Sequence, residues 1–145
     1  MIAVDTNILI YAHREDSEWH KKAYECIVNL AEGSSNWAIP WPCLHEFFSI
    51  ATHPRIYAPP SSVADAINQI EAWLESPSLV LLAESHDYWS SLHNILNASK
   101  VIGPMVHDAR IAALCLQHGV KTLLSADRDF SRFASLQIKN PLISE

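Results

Sequence analysis

No apolar run in the chain approaches the roughly 18 residues that a membrane span requires, and Asp5 and Asn7 interrupt the N-terminal stretch before a signal-peptide core could form. A cytoplasmic location is therefore expected. Cysteine is scarce: Cys26, Cys43 and Cys115 are odd in number, far apart and free of C-x-x-C spacing. They suggest neither a disulfide framework nor a zinc site, and read as small core hydrophobes in a reducing compartment. Positive charge is also short, with ten Lys plus Arg against sixteen Asp plus Glu and a net charge of −6. That sign weighs against a loose nucleic-acid coat, but not against an enzyme that reaches phosphates through a divalent cation, whose charge reverses the local field. Internal repeats, low-complexity tracts and hairpin-turn signals are missing too.

What is present is 145 residues, 49% of them hydrophobic and 18% charged, the profile of one globular domain spanning 1–145. Met1 to Val4 forms a short apolar run that stops at Asp5-Thr6-Asn7 and is followed by Ile8 to Tyr11, a buried strand leading straight into a helix. Ser17 is placed to cap a helix over 17–32, which Gly33 ends. Trp37 to Ile39 is strand-like, and Pro42 suits the first turn of a helix reaching about Thr52. After a proline-rich loop over 53–60, Ser61 or Ser62 opens another helix that Pro77 closes. Leu79 to Leu82 reads as a strand covered on both faces, 85–96 as a helix, and 97–104 as a loop. Residues 105–117 are apolar nearly all round, a central buried helix ended by Gly119, and Val120 to Leu124 is strand-like again. Strands separated by helices predict an α/β fold with a small parallel sheet sandwiched between helices in three layers.

In such a sheet Asp5 and Asp127, each just past a strand, point into the crevice beyond the carboxyl ends, where α/β folds place their sites. Glu46 and Asp108 lie early in helices that follow the same rim. Four converging carboxylates raise one another's pKa unless a cation binds among them, and an oxygen-only cage suits Mg²⁺ or Mn²⁺. Plainer duties exist for two of them: Asp108 favours its helix dipole, and Asp127 can cap the turn over 128–133. Asp5 and Glu46 sit among apolar neighbours, where an unpaired carboxylate costs several kcal/mol.

At these residues the sequence resembles the PIN domain, specifically the VapC-type toxins of prokaryotic toxin–antitoxin pairs. The likeness runs through Asp5-Thr6-Asn7, Leu44-His45-Glu46-Phe47, His107-Asp108-Ala109-Arg110 and Ser125-Ala126-Asp127-Arg128-Asp129-Phe130, and spans almost the whole chain. The resemblance implies a metal-dependent ribonuclease using Mg²⁺ or Mn²⁺, with Asp5 and Asp108 as direct ligands, Glu46 and Asp127 completing the catalytic cage, and Asn7 and Ser125 hydrogen-bonding those ligands. It also implies an RNA substrate, a cognate antitoxin and a homodimer. His107 departs from the small hydroxyl residue common in relatives.

Asp129 is taken for a solvent-facing or helix-start acid, the five tryptophans for mostly core residues, and the histidines for scattered side chains without metal spacing. Arg14, Arg55, Lys100, Arg110, Arg128 and Arg132 are candidates for positioning RNA. Two other functions fit an acid at the end of a first strand. A phosphotransfer domain would want a second acid near Asp5, where Asn7 stands, or a phosphoacceptor Asp in the Leu79–Leu82 strand, which has none. A non-catalytic module would use the acid pocket only to receive a partner's basic side chain.

Overall fold

A computed structural model describes residues 1–143; Ser144 and Glu145, the end of the domain expected over 1–145, lie outside the described residues. Five strands run parallel in one sheet: β1 (Ile2–Val4), β2 (Trp37–Pro40), β3 (Leu79–Leu82), β4 (Thr122–Leu124) and β5 (Gln137–Lys139). Six helices flank it: α1 (Thr6–His13), α2 (His20–Glu32), α3 (Trp41–Ala51), α4 (Val63–Leu74), α5 (Tyr88–Ala98) and α6 (Val106–Gln117). None of the described helices is long and apolar enough to cross a membrane.

The strand order is β3-β2-β1-β4-β5. From β1 the chain steps outward twice in one direction, then crosses back to β4 on the other side of β1. Right-handed crossovers therefore put α1 to α4 on one face and α5 with α6 on the other, in keeping with the packing of α1 on α2 and α3 and of α5 on α6. The reversal falls between β1 and β4, and the crevice past their carboxyl ends is where such sheets carry their sites.

The core follows the hydrophobic pattern. Ala3, Val4, Trp37, Ala38, Ile39 and Leu123 fill the sheet and are inaccessible to solvent, and α6 buries Ala109 and Ile111 through Cys115. Phe47 meets the ring of Trp73 edge-on at 4.8 Å and that of His13 at 5.2 Å, which ties α3 to α4 and α1. Ser62 caps α4 by accepting a hydrogen bond from the Asp65 backbone N–H at 3.0 Å. Ser62→Ala removes that acceptor at an exposed position and is expected to cost about 1 kcal/mol, read as a lower urea midpoint with an unchanged slope. Gly119, at φ +74, takes the left-handed step that turns the chain out of α6 toward β4.

Several expectations need correction. The helix foreseen from Ser17 starts at His20; Ser17 instead organises the turn before it, its hydroxyl accepting from the Trp19 N–H and its carbonyl from the His20 N–H, both at 3.1 Å. Leu79–Leu82 forms the expected strand but at the edge of the sheet, with Leu82 buried and Leu79, Val80 and Leu81 partly buried against the core. The helix expected over 85–96 occupies Tyr88–Ala98, and a 3-10 turn at Gly103–Met105 interrupts the loop after it. Of the tryptophans, Trp37 and Trp73 are core and Trp19 is half-buried, but Trp41 and Trp89 are exposed, Trp89 at 63%, each beside a histidine one helical turn on. The strand β5 was not foreseen.

Candidate active site

Asp5 ends β1 and caps α1. Its backbone N–H donates to the Leu124 carbonyl at 2.9 Å, while its Oδ1 accepts from the Thr6 N–H at 2.8 Å. The other carboxylate oxygen accepts from the Ser125 hydroxyl at 2.7 Å and from the Asn7 amide at 3.4 Å. At 4% exposure, this carboxylate is held by donors from both ends of the chain. Burial still dominates, and with the nearby charges of Glu46 and Asp108 it pushes the Asp5 pKa up to about 6 against the lowering effect of the Ser125 and Thr6 hydrogen bonds.

Asn7 and Ser125 close a hydrogen-bond network around the Asp5 carboxylate. Ser125 Oγ accepts from the Asp127 N–H at 3.0 Å and from the Asn7 amide at 3.3 Å, and Asn7 Oδ1 accepts from the Ala126 N–H at 3.1 Å. One polar knot thus fixes the end of β4 against the start of α1. Glu46, half-buried on α3, accepts from the Thr6 hydroxyl at 3.0 Å.

Asp108 occupies the first turn of α6. Partial burial raises its pKa, followed by the charges of Asp127, Glu46 and Asp129, with Arg132 opposing. Asp5, Glu46, Asp108 and Asp127 therefore share one electrostatic neighbourhood. Asp127 also serves as the turn cap expected as its plainer duty, its Oδ1 accepting from the Asp129 N–H at 2.8 Å.

Asp129 is, as expected, an exposed acid in the first turn of a helix. The 3-10 turn over Arg128–Arg132 folds its carboxylate back, so that one oxygen each of Asp108, Asp127 and Asp129 lie within 4.8 Å of one another. Sequence reasoning also passed over Thr6, whose backbone N–H donates to the Asp5 carboxylate while its hydroxyl donates to Glu46, and Cys43, whose buried Sγ lies 3.7 Å from Asp5 Oδ1. Thr6 stood inside the quoted motif and its hydroxyl was the signal; Cys43 had none. Burial first, then the charge of Asp5, holds the Cys43 thiol well above its ordinary range, so it sits there as a neutral, weak donor. His107 is exposed at the rim.

Among the basic candidates, Arg14 is spent on Asp16 at 2.6 Å and lies over the Tyr57 ring, and Arg110 pairs with Glu84 at 3.0 Å. Arg132 stands 3.9 Å from Asp129, and Arg128 lines a cleft with Ser125 and Asp127. Arg55 and Lys100 are exposed and outside the described ion pairs.

Known proteins share this arrangement of chain and sheet. Ribonuclease VapC43 of Mycobacterium tuberculosis is 32% identical over 142 residues, covering 98% of this chain and 96% of its own, and Ribonuclease VapC48 of the same species is 28% identical over 94% of each chain. Among solved structures, VapBC-1 from nontypeable Haemophilus influenzae superposes with a TM-score of 0.69 at 21% identity, covering 97% of this chain and 98% of its own. VapC20 of M. tuberculosis, described as a Sarcin-Ricin loop cleaving toxin, does so at 0.65 and 16% identity, covering 90% and 93%. The PIN domain family model matches residues 2–136, a span that takes in the Asp5–Ser125 knot and every acid of the rim. With that match and a near full-length likeness to VapC ribonucleases, the chain belongs to the PIN domain family.

Proposed function

We propose that the chain is a metal-dependent endoribonuclease, the toxin of a type II toxin–antitoxin pair, working as one PIN-like unit. The observation that carries this reading is the convergence of carboxylates on one rim, where burial first and then their mutual charges raise the pKa of Asp5 and Asp108, an arrangement that costs stability and that a bound cation offsets. Names of relatives that are ribonucleases across nearly the full chain support the substrate class.

The chemistry of the donors suits a hard divalent ion: Asp108, Asp127 and Asp129 bring carboxylate oxygens together with no histidine or cysteine among them, while Asp5 and Glu46 lie outside that close group and join it through their charges. Asp5 and Asp108 would hold Mg²⁺ or Mn²⁺, with Glu46 and Asp127 completing the cage and Asp129 at its edge. Such an ion supplies a water acidified to near neutrality and charge stabilisation at the phosphoryl oxygens. The chain supplies the positioning. Ser125, Asn7 and Thr6 fix the Asp5 carboxylate before substrate arrives, and Thr6 keeps Glu46 turned toward it. A carboxylate of this set accepts the proton that the attacking water releases. Ser125→Ala takes away the shortest donor to Asp5 and is expected to weaken Mn²⁺ binding by about tenfold, measured by titration calorimetry, without loss of fold.

An antitoxin and a second copy of the chain are the proposed protein partners. The complexes in which structural relatives were solved, such as VapBC2 from Rickettsia felis bound to promoter DNA, support the former, and the net charge of −6 suits a basic partner. The direct test incubates the purified chain with a pool of structured cellular RNAs in Mg²⁺ or Mn²⁺, with and without EDTA. Discrete fragments that disappear with EDTA are expected. Cleavage indifferent to EDTA overturns the metal-dependent reading, and no cleavage of any RNA turns the acid pocket into a binding module.

A further inference from the structure

Beside the acid pocket, on the β5 side of the sheet, lies a cleft of about 570 Å³ lined by Ser125, Asp127, Arg128, Ser131, Lys139 and Asn140. What distinguishes its two cations is position: of the seven Lys and Arg side chains outside the described ion pairs, Arg128 and Lys139 are the two that line this cleft. Among the described residues the ion pairs engage Arg14, Arg110 and Arg132, whereas Arg128 and Lys139 enter none. In a chain of net charge −6, two unneutralised cations in one cleft form a local attraction for a polyanion that the rest of the surface repels.

Both cations are registered to the bottom of the acid pocket. Lys139 pairs with Leu124 across β4 and β5, and its carbonyl accepts from the Ser125 N–H at 2.9 Å. The hydroxyl of that same serine donates to Asp5 at 2.7 Å and accepts from the Asp127 N–H at 3.0 Å, and Arg128 follows directly. Their backbones are therefore fixed relative to Asp5 by the sheet and the polar knot. On the opposite flank the cation of α6, Arg110, is already neutralised by Glu84.

We propose that Arg128 and Lys139 clamp the backbone phosphate of a single RNA strand next to the one that reacts, Arg128 through its planar donor fork and Lys139 as a point charge. The inference rests on the nuclease reading above and adds the direction in which the strand leaves the pocket, toward β5. A cleft of about 570 Å³ has room for a sugar-phosphate unit. Asp127, at the inner end, keeps a phosphate from settling among the acids unless a cation is present.

The test uses full-length protein carrying Asp108→Asn, so that RNA is bound and not cut, with Arg128→Gln and Lys139→Gln added singly and together. The probe is a short fluorescent single-stranded oligoribonucleotide, titrated in Mg²⁺ across a KCl series. Each added substitution is expected to weaken binding by about tenfold and to flatten the slope of log K against log salt by about 0.7. Lys139→Arg should restore both, and Lys121→Gln, just before the other end of β4, should change neither. In otherwise wild-type protein the pair should raise KM and leave kcat within about twofold of its starting value.

An Arg128→Gln/Lys139→Gln chain with unaltered slope and KM overturns the clamp while cleavage by wild type upholds the nuclease. Wild type that cuts no RNA, beside an Asp108→Asn chain whose binding depends on both cations, sinks the nuclease and keeps the clamp. Variants that hold RNA normally but lose affinity for a polyglutamate peptide assign the cleft to an acidic protein segment and overturn the proposal.

Discussion

Asp108→Asn is expected to lower kcat by about a thousandfold while leaving thermal stability the same or slightly higher. The substitution keeps the shape of the side chain and removes one charge. If that charge helps hold a divalent ion, losing it forfeits several kcal/mol of stabilisation for the developing phosphoryl charge, and about 4 kcal/mol is a factor of about a thousand in rate. Folding has no reason to suffer. Asp108 makes no described hydrogen bond through its carboxylate, and burial together with Asp127, Glu46 and Asp129 disfavours its charge. Activity and stability should therefore separate: initial cleavage rates collapse while the melting curve holds. A variant that cuts RNA at the wild-type rate would remove Asp108 from the mechanism.

The second large effect is on stability and concerns Asp5. Its pKa stands at about 6 in the folded protein against 3.8 for the free side chain. Between those values the folded state keeps a proton that the unfolded chain has released, so stability falls as pH rises through that window and is level above it. The full fall is about 3 kcal/mol without a divalent ion. Comparing wild type with Asp5→Asn across the window, in EDTA, cancels the contributions of the other carboxylates. Wild type should lose stability relative to the variant as pH rises, and millimolar Mg²⁺ or Mn²⁺ should cancel the loss in wild type alone. Parallel pH profiles in EDTA would mean that Asp5 ionises without strain.

The parts of the structure visible from sequence are those in which one residue type can do only one thing. A carboxylate between Val4 and Ile8 has to be paired, liganded or protonated, so Asp5 announced itself, and α6 was legible because Ala109 and Ile111 through Cys115 leave it almost no polar face. The strand β5 was not, since Gln137-Ile138-Lys139 is too short for a period and owes its conformation to pairing with β4. The edge position of β3 was hidden for a related reason. A run of Leu and Val reports its own hydrophobicity, and strand order is decided by crossovers elsewhere in the chain. Asp129 was legible as a solvent-facing acid at the start of a turn, but its approach to Asp108 and Asp127 was not, because only the folded turn brings an exposed carboxylate back to the rim. Trp41 and Trp89 show the limit of counting aromatics as core: each sits near the start of a helix with a histidine one turn on, a pairing that gives a large ring company on the surface.

The distance along the chain between Asp5 and the serine that holds it also sets a timetable. Ser125 lies 120 residues downstream of Asp5, and the β5 strand that pairs beyond it comes later still. A ribosome adding about 5–20 residues per second delivers Asp5 many seconds before its anchor. Through that interval the nascent polypeptide carries between one and three of its four acids and no assembled pocket. Until Ser125 and β5 have been made, the acids already present have no anchor, so the pocket forms only after the chain has been extended past β5.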